Sequence, residues 1–380
     1  MNEKRKRVAV LGAGRVGSLI AMDLASDPAL AVRSFDADPA NLEKLAAASP
    51  VETRGADLAD PAAIRAAVED ADLAVGALPG RLGLAALTAV LEAGKDVVDI
   101  SFMPEDPRTL DETAREKGAC ALVDFGVAPG MSNLLVGRAA SRLDEVASVA
   151  IHVGGLPRDP KPPFRYKAAF SPADVIEEYT RPARLVENGE TVVKPALSGV
   201  EILAFEGAGE LEAFNTDGLR TLIDTVRAPD MVEKTLRYPG HADLMRAFRD
   251  TGLFSPDPVG IGNARVRPLE MTSTLLFPLW TYEEGEEDLT VMRVTVEGRK
   301  DGKPARFRWD LFDVFDKESG ATSMARTTGY PAAAACRLLL ERRFRRPGVH
   351  PPETLGDAEG ILEAVLEHLA ARNVVFERRP

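Results

Sequence analysis

The chain has 380 residues, 45 % of them apolar and 28 % charged, an ordinary balance for a globular protein with room for two cores. Its formal net charge of −12 excludes partners that need basic surface, so neither nucleic acid nor an anionic membrane is expected.

The first apolar run, Val8 to Leu11, reads as a strand and passes directly into Gly12-Ala13-Gly14-Arg15-Val16-Gly17, a G-x-G-x-x-G spacing. Arg15 to Ser26 follows as an amphipathic helix with Val16, Leu19, Ile20 and Leu24 on one face, and Leu30 to Phe35 is a second strand ending at Asp36. Each glycine has its own task. Gly12 permits the tight turn, Gly14 lets backbone approach a pyrophosphate, and Gly17 lets the helix lie close to the sheet. The helix N-terminus then offers free N–H groups and a positive dipole end to the phosphates. Asp36 stands where a carboxylate accepts both hydroxyls of an adenine ribose and repels a 2′-phosphate, so the expected cofactor is NAD rather than NADP.

The alternation continues. Asn41 to Ala48 is helical, Val51 to Thr53 a short strand, Pro61 to Glu69 helical, Leu73 to Leu78 a strand, and Leu82 to Ala93 a helix stopped by Gly94. Val97 to Ile100 and Ala119 to Val123 are further strands around a helix over Glu105 to Lys117. Apolar strands separated by helices specify a parallel sheet covered on both faces, with ligands at the carboxyl ends of its strands. Ala37 and Asp57, beside the second and third strand tips, therefore join the cofactor group, and Leu78, Pro79, Ile100 and Ser101 are expected to wall the nicotinamide.

From about Val146 the pattern changes. Val149 to Val153 reads as a strand, Gly154 to Pro163 as a Pro/Gly-rich loop, and Thr191–Val193, Val200–Phe205, Leu211–Phe214, Thr290–Val296 and Arg306–Val314 as an antiparallel sheet. Helices are expected over Ala173–Tyr179, Gly218–Thr225 and His241–Asp250, then over Pro331–Arg342, with Pro331 near its start, and Ala358–Ala370. The fold class is α/β: a doubly wound Rossmann sheet plus an inserted α+β substrate and dimer domain. Cys120 and Cys336, far apart in apolar surroundings, read as reduced thiols. The four histidines, His152, His241, His350 and His368, show no metal-ligand spacing, so no metal is expected. No apolar run approaches membrane-spanning length, and Met1-Asn2-Glu3-Lys4-Arg5-Lys6-Arg7 leads into a strand rather than a signal core; a cytoplasmic protein is expected.

Three later segments resemble the saccharopine dehydrogenase and reductase family: Gly126-Val127-Ala128-Pro129-Gly130-Met131-Ser132-Asn133, Thr235-Leu236-Arg237-Tyr238-Pro239-Gly240-His241, and Met324-Ala325-Arg326-Thr327-Thr328-Gly329-Tyr330-Pro331-Ala332. The resemblance implies a discontinuous nucleotide domain over 1–128 and 322–380, a substrate-binding and dimerisation domain over 129–321, and a homodimer. Two departures stand out. Ala128 occupies the place of an aspartate in saccharopine-forming members, and Asn215-Thr216-Asp217 replaces an Asn-Arg-Asp run. With Phe164-Arg165-Tyr166-Lys167 and Phe170-Ser171-Pro172, the chain looks more like the lysine 6-dehydrogenase branch. That branch implies oxidation of L-lysine by NAD and water to allysine, NADH and ammonia. The alternatives are an L-glutamate-forming saccharopine dehydrogenase, a carboxynorspermidine-type synthase, and a dinucleotide-binding redox sensor without turnover.

An amine substrate must lose its proton before hydride leaves, which calls for a base or a dry pocket. Asp99 and Asp124, each ending a strand, are the first carboxylates to consider, with a loop or helix cap as their alternative role. Lys167 serves as proton acceptor only where burial lowers its pKa; otherwise it is a solvated charge or carboxylate anchor. Arg237 suits a bidentate hold on a substrate carboxylate or a structural salt bridge. His241 titrates near neutrality unless it is a satisfied structural imidazole, and Tyr166 is half-buried packing by default. Asn215, Thr216 and Asp217 lie between a strand and a helix, where Thr216 or Asp217 is also placed to cap, and Thr327 stands on the returning segment.

Overall fold

The computed structural model describes residues 5–169 and 172–380; Met1 to Lys4, and Phe170 and Ser171 of the segment quoted above, lie outside the described residues. The chain divides into two compact units, Met1–Ser141 with Ala325–Val374 and Arg142–Met324 with Val375–Pro380. These boundaries differ from 128 and 322. The helix Met131–Ala140 stays with the first unit because Gly137 carries no side chain that would overlap the Glu353 backbone. The last strand, Phe376–Arg379, pairs within the second unit's sheet instead of returning to the nucleotide domain.

The first unit is built on β1 (Lys6–Leu11), β2 (Leu30–Asp36), β3 (Glu52–Gly55), β4 (Leu73–Gly76), β5 (Val97–Asp99) and β6 (Cys120–Leu122). With Gly348–His350 at one edge, the order is Gly348–His350, β6, β5, β4, β1, β2, β3, all parallel. The strand order reverses between β1 and β4, the point where a doubly wound sheet opens a crevice at its carboxyl ends. Val8 to Leu11 and all of β4 are buried, as continuous apolar strands must be when helices cover both faces. Asp-Pro pairs start several helices. Asp38 accepts the N–H of Ala40 at 2.9 Å before Pro39–Ala48, and Asp60 accepts that of Ala62 at 2.8 Å before Pro61–Val68. The expected helix over Glu105–Lys117 is a single 3₁₀ turn, Pro107–Leu110, followed by Asp111–Lys117.

The second unit carries a nine-stranded mixed sheet. Its path runs Glu201–Phe205, Gly209–Asn215, Asp230–Arg237, Glu145–Pro157, Asp288–Lys300, Lys303–Val314 and Phe376–Arg379. Asp230–Arg237, an interior strand third in that path, lies parallel to the central Glu145–Pro157, so the sheet is not purely antiparallel. The expected loop from Gly154 is strand as far as Pro157, because a Cβ on Gly154 would come within 2.6 Å of the Leu236 carbonyl oxygen; the glycine serves close packing, not a turn. Only Leu222–Thr225 is helical in the stretch expected from Gly218. Pro331 lies inside the helix Ser323–Leu340 rather than at its start. That helix begins earlier because the Asp288 carboxylate accepts the N–H groups of Ser323 and Met324 at 2.7 and 2.9 Å. Aromatic rings centre the second core, with Tyr166 edge-on to Trp280 at 5.5 Å.

Cys120 and Cys336 are buried free thiols. Among the described residues no helix is long and apolar enough to cross a membrane, and no His, Cys, Asp or Glu group has a metal-holding arrangement.

Candidate dinucleotide site and the buried polar centre of the second unit

The glycine turn separates steric from functional need. Gly12 has φ +110°, and a Cβ there would overlap the Ala77 carbonyl oxygen at the end of β4. A Cβ on Gly17 would overlap the Gly12 carbonyl oxygen, so the helix Arg15–Ala25, α1, lies against the turn. Gly14 differs: a Cβ would meet nothing within 4 Å, so the space beside it is free of protein. The helix α1 starts at Gly14 without a side-chain cap, leaving its first N–H groups for an anion. Arg15 is exposed and Val16 half-buried at this entrance.

Asp36 ends β2 with its carboxylate already placed. One oxygen accepts the Ala13 N–H at 2.6 Å and the other the Asp38 N–H at 2.8 Å, and each keeps a lone pair for a further donor. Open space at Gly14, an uncapped helix end and this half-buried carboxylate fit a dinucleotide. Ala37 is exposed beside Asp36. Asp57 is exposed and accepts the Ala59 N–H at 3.0 Å, which shapes the turn after β3.

At the tips of β4 and β5, Leu78 and Ile100 are half-buried and Pro79 exposed. Ser101 turns inward instead: it is 1 % exposed, and its N–H and hydroxyl donate to Asp99 at 2.8 and 3.2 Å. Burial, reinforced by the negative charge of Asp124, pushes the Asp99 carboxyl up to about 8 against those donors. Asp99 is therefore a neutral acid at pH 7, able to give a proton but not to take one. Asp124 is also buried and has φ +54°, an unusual backbone state for a residue with a side chain. Thr327 is fully buried.

In the second unit the residues expected to bind substrate are brought together, but largely with one another. Arg237, 2 % exposed, donates to Glu178 at 2.6 Å and to the Leu236 carbonyl at 2.9 Å, and its guanidinium lies 4.5 Å over the Tyr166 ring. It takes the salt-bridge role. Burial outweighs that arginine and raises the Glu178 carboxyl, and burial likewise raises the Tyr166 and Tyr179 hydroxyls. His241 is satisfied at both nitrogens, Nε2 against the Tyr179 hydroxyl at 2.8 Å and Nδ1 against the Phe164 carbonyl at 3.1 Å. Burial, with Arg237 beside it, lowers His241 to about 3 and holds it neutral. It does not titrate near neutrality.

Lys167 is ion-paired to Glu286 and donates to the Thr281 carbonyl at 3.0 Å, so it is a carboxylate anchor and not a base in a dry pocket. Asp217 is held by Arg184 at 2.8 and 2.9 Å and caps no helix. Thr216 donates to Glu233 at 2.5 Å and meets Thr235 at 2.9 Å. Asn215 donates to Ser198 at 3.1 Å, while its buried Oδ1 has no partner among the described residues.

Sequence reasoning missed Glu178, Tyr179, Glu212 and Glu233. Glu212 receives the N–H groups of Gly240 and Ala242, capping the helix His241–Asp250 from a neighbouring strand. Burial pushes Glu233 up to about 8, despite the Thr216 hydroxyl and the Gly218 N–H. The available signal was period two: Met231, Glu233, Thr235 and Arg237 alternate along one strand and are all buried.

Two family descriptions match the chain, the saccharopine dehydrogenase NADP binding domain over residues 8–122 and the saccharopine dehydrogenase C-terminal domain over 126–374. Among curated relatives, the mitochondrial alpha-aminoadipic semialdehyde synthase of Mus musculus is 23 % identical across 98 % of this chain, which spans only 47 % of that protein's length. The saccharopine dehydrogenase [NADP(+), L-glutamate-forming] of Schizosaccharomyces pombe is 24 % identical, covering 79 % of this chain and 83 % of the relative. The carboxynorspermidine synthase of Vibrio alginolyticus is 23 % identical over 93 % of both. The apo saccharopine dehydrogenase (L-Glu forming) of Saccharomyces cerevisiae superposes with a TM-score of 0.82 at 19 % identity, covering 98 % and 99 % of the two chains, and so shares the fold. The family matches leave no substantial part of either unit outside them: the chain belongs to the saccharopine dehydrogenase family and carries its dinucleotide-binding domain.

Proposed function

We propose that the chain makes or breaks the bond between carbon and an amine nitrogen in an amino-acid substrate, using NAD. The leading reading is a secondary amine of the saccharopine class, split to L-glutamate and a semialdehyde or formed in reverse. It is supported by relatives whose names carry L-glutamate-forming saccharopine dehydrogenase and carboxynorspermidine synthase. The second reading is lysine 6-dehydrogenase, with ammonia as co-product. It is favoured by Ala128 and Thr216, which supply no charge where a substrate with additional amino-acid groups would need one.

The observation that carries the oxidoreductase reading is the open space at Gly14 beside the Asp36 carboxylate. Gly12 to Gly17 and the start of α1 would hold the pyrophosphate. The free lone pairs of Asp36 would accept the ribose hydroxyls and repel a 2′-phosphate, which sets NAD above NADP although the matching domain description names NADP. Bound NAD supplies the hydride acceptor. Leu78, Pro79 and Ile100 exclude water around the ring, and Asp99 holds its proton at the tip of β5. Asp124 remains the carboxylate we assign to the substrate amine. The same reading places the chain in the cytoplasm, where Cys120 and Cys336 stay reduced, and makes it a homodimer.

Saccharopine and L-lysine, each tested with NAD and with NADP, separate the readings. Reduced cofactor with glutamate supports the first, and reduced cofactor with ammonia the second. Tight NADH binding with no turnover on either substrate leaves the carboxynorspermidine-type synthase and the redox-sensor alternatives.

A further inference from the structure

The connection over 216–221, between the strand Gly209–Asn215 and the short helix Leu222–Thr225, is pinned along its length. Thr216 is bonded to Glu233 and Thr235, and Asp217 accepts the Arg184 backbone N–H at 3.1 Å as well as its guanidinium. Gly218 lies on Glu233, since a Cβ there would come within 2.4 Å of the carboxyl group, and Leu219 and Leu222 are fully buried. Between these anchors stands Arg220, with φ +53°. A residue with a long side chain rarely adopts that left-handed state, and it persists only where the surroundings impose it. Among the described residues three arginines have it: Arg165 and Arg342 are exposed, whereas Arg220 is 7 % exposed. Its neighbour Thr221 is 4 % exposed, and the buried Oγ1 of Thr221 has no hydrogen-bond partner among the described residues. A native buried hydroxyl left unpaired is rare and calls for a reason.

We propose that Arg220 and Thr221 form the subsite for the α-carboxylate of the amino-acid substrate. The proposal rests on the amino-acid reading above and names the group recognised. Saccharopine and L-lysine share a lysine skeleton: hydride leaves the ε-carbon, and the α-carboxylate stands at the other end of the chain. One subsite for that end serves both. A planar guanidinium offers a carboxylate two parallel N–H groups, and a hydroxyl donates to a lone pair that the fork leaves open. Burial strengthens each of these bonds, and a pinned backbone presents the donors with little left to order on binding. Arg237 does not compete for the part. It stands in a regular strand, donates to Glu178 and to the Leu236 carbonyl, and lies over the Tyr166 ring. Arg220 instead stands on a connection, where binding residues concentrate.

The test compares L-lysine with cadaverine, and saccharopine with its analogue decarboxylated at the lysine α-carbon, so that each pair differs by the carboxylate alone. Arg220→Asn removes the fork and tolerates the positive φ. It should lower kcat/KM for the carboxylated member about 100-fold and leave the analogue unchanged, so that the preference collapses. Thr221→Val removes only the hydroxyl and should lower the same value about 10-fold, with the thermal midpoint held or raised. Arg220→Lys keeps the charge without the fork and should fall between wild type and Arg220→Asn, which preserves the test if Arg220→Asn does not fold. NADH binding, read by fluorescence, should be unchanged in all three. A wild type that turns over neither saccharopine nor L-lysine overturns the amino-acid reading and this proposal together. A wild type active on either one overturns the subsite alone if it shows no preference for the carboxylated member, or if the variants change both members of the pair alike or neither.

Discussion

Asp36 accepts the backbone N–H of Ala13 at 2.6 Å, so the acid at the tip of β2 and the glycine turn after β1 are a single binding element. The carboxylate grips the turn before any cofactor arrives, so in the proposed NAD site it would orient the phosphate-binding backbone as well as the ribose. Removing it should do two things at once. In Asp36→Ala the charged hydrogen bonds to the ribose are lost, worth about 1.5–3 kcal/mol, and the KM for NAD should rise about 10- to 100-fold. Discrimination against NADP should fall in the same variant because the repulsion of the 2′-phosphate is gone. The ratio of kcat/KM for the two cofactors reads both effects; an unchanged ratio sinks the assignment of Asp36 to the ribose.

The three glycines of the turn should respond differently to alanine. At Gly12 and Gly17 the added methyl would overlap backbone carbonyls, which cannot move without parting β1 from β4 or α1 from the turn. Gly12→Ala and Gly17→Ala should lower the thermal midpoint, with a cost on the order of 1–3 kcal/mol each. Gly14→Ala meets no protein atom, so its midpoint should hold while NADH binding falls, because the methyl occupies the phosphate's approach. Thermal denaturation and NADH fluorescence on the same samples separate the two classes.

The nucleotide unit was legible because its signals are local. A glycine spacing, an acid at a fixed distance and apolar strands between amphipathic helices each report on one segment. The second unit depends on long-range pairing. Asp230–Arg237 contains Glu233, Lys234 and Arg237 and does not read as the middle of a sheet, yet it is the strand that seats Glu233 and Arg237 in the core. Gly154 and Gly155 looked like a turn because glycine marks both turns and close packing. The partners of Lys167, Asp217 and His241 lie 33 to 119 residues away in sequence, so no spacing rule could show that these side chains were already engaged.

Two buried acids should make stability depend on pH in the direction opposite to ordinary salt-bridged carboxylates. Asp99 rises from its ordinary 3.8 to about 8, so between those values the folded chain holds a proton that the unfolded chain has released. Stability from this group is therefore fully present below about pH 4, declines as pH rises, and levels off above about pH 8. The loss between pH 5 and 8 should be on the order of 3 kcal/mol. Asp99→Asn keeps the acceptor for Ser101 and cannot ionise, so unfolding by urea should show a flatter profile in the variant. Glu233, also raised to about 8, should behave in the same way, with Glu233→Gln as its control.

Arg237 offers the clearest test between a structural and a substrate-holding role. The guanidinium is 2 % exposed while the Glu178 side chain keeps 19 % exposure, so the pair is buried at one end and reached by solvent at the other. Breaking a buried pair costs about 3–5 kcal/mol because the survivor is left uncompensated, and the partial exposure of Glu178 puts Arg237→Ala near the lower figure. Arg237→Met with Glu178→Leu removes both charges and should recover most of that loss, since neither is then stranded. A substrate-holding arginine would show the reverse pattern: a large rise in KM for the amino acid with the thermal midpoint intact, and no rescue from the second substitution. Measured midpoints and substrate KM values for the two single variants and the double variant decide the matter, and the ion pair at 2.6 Å predicts the structural outcome.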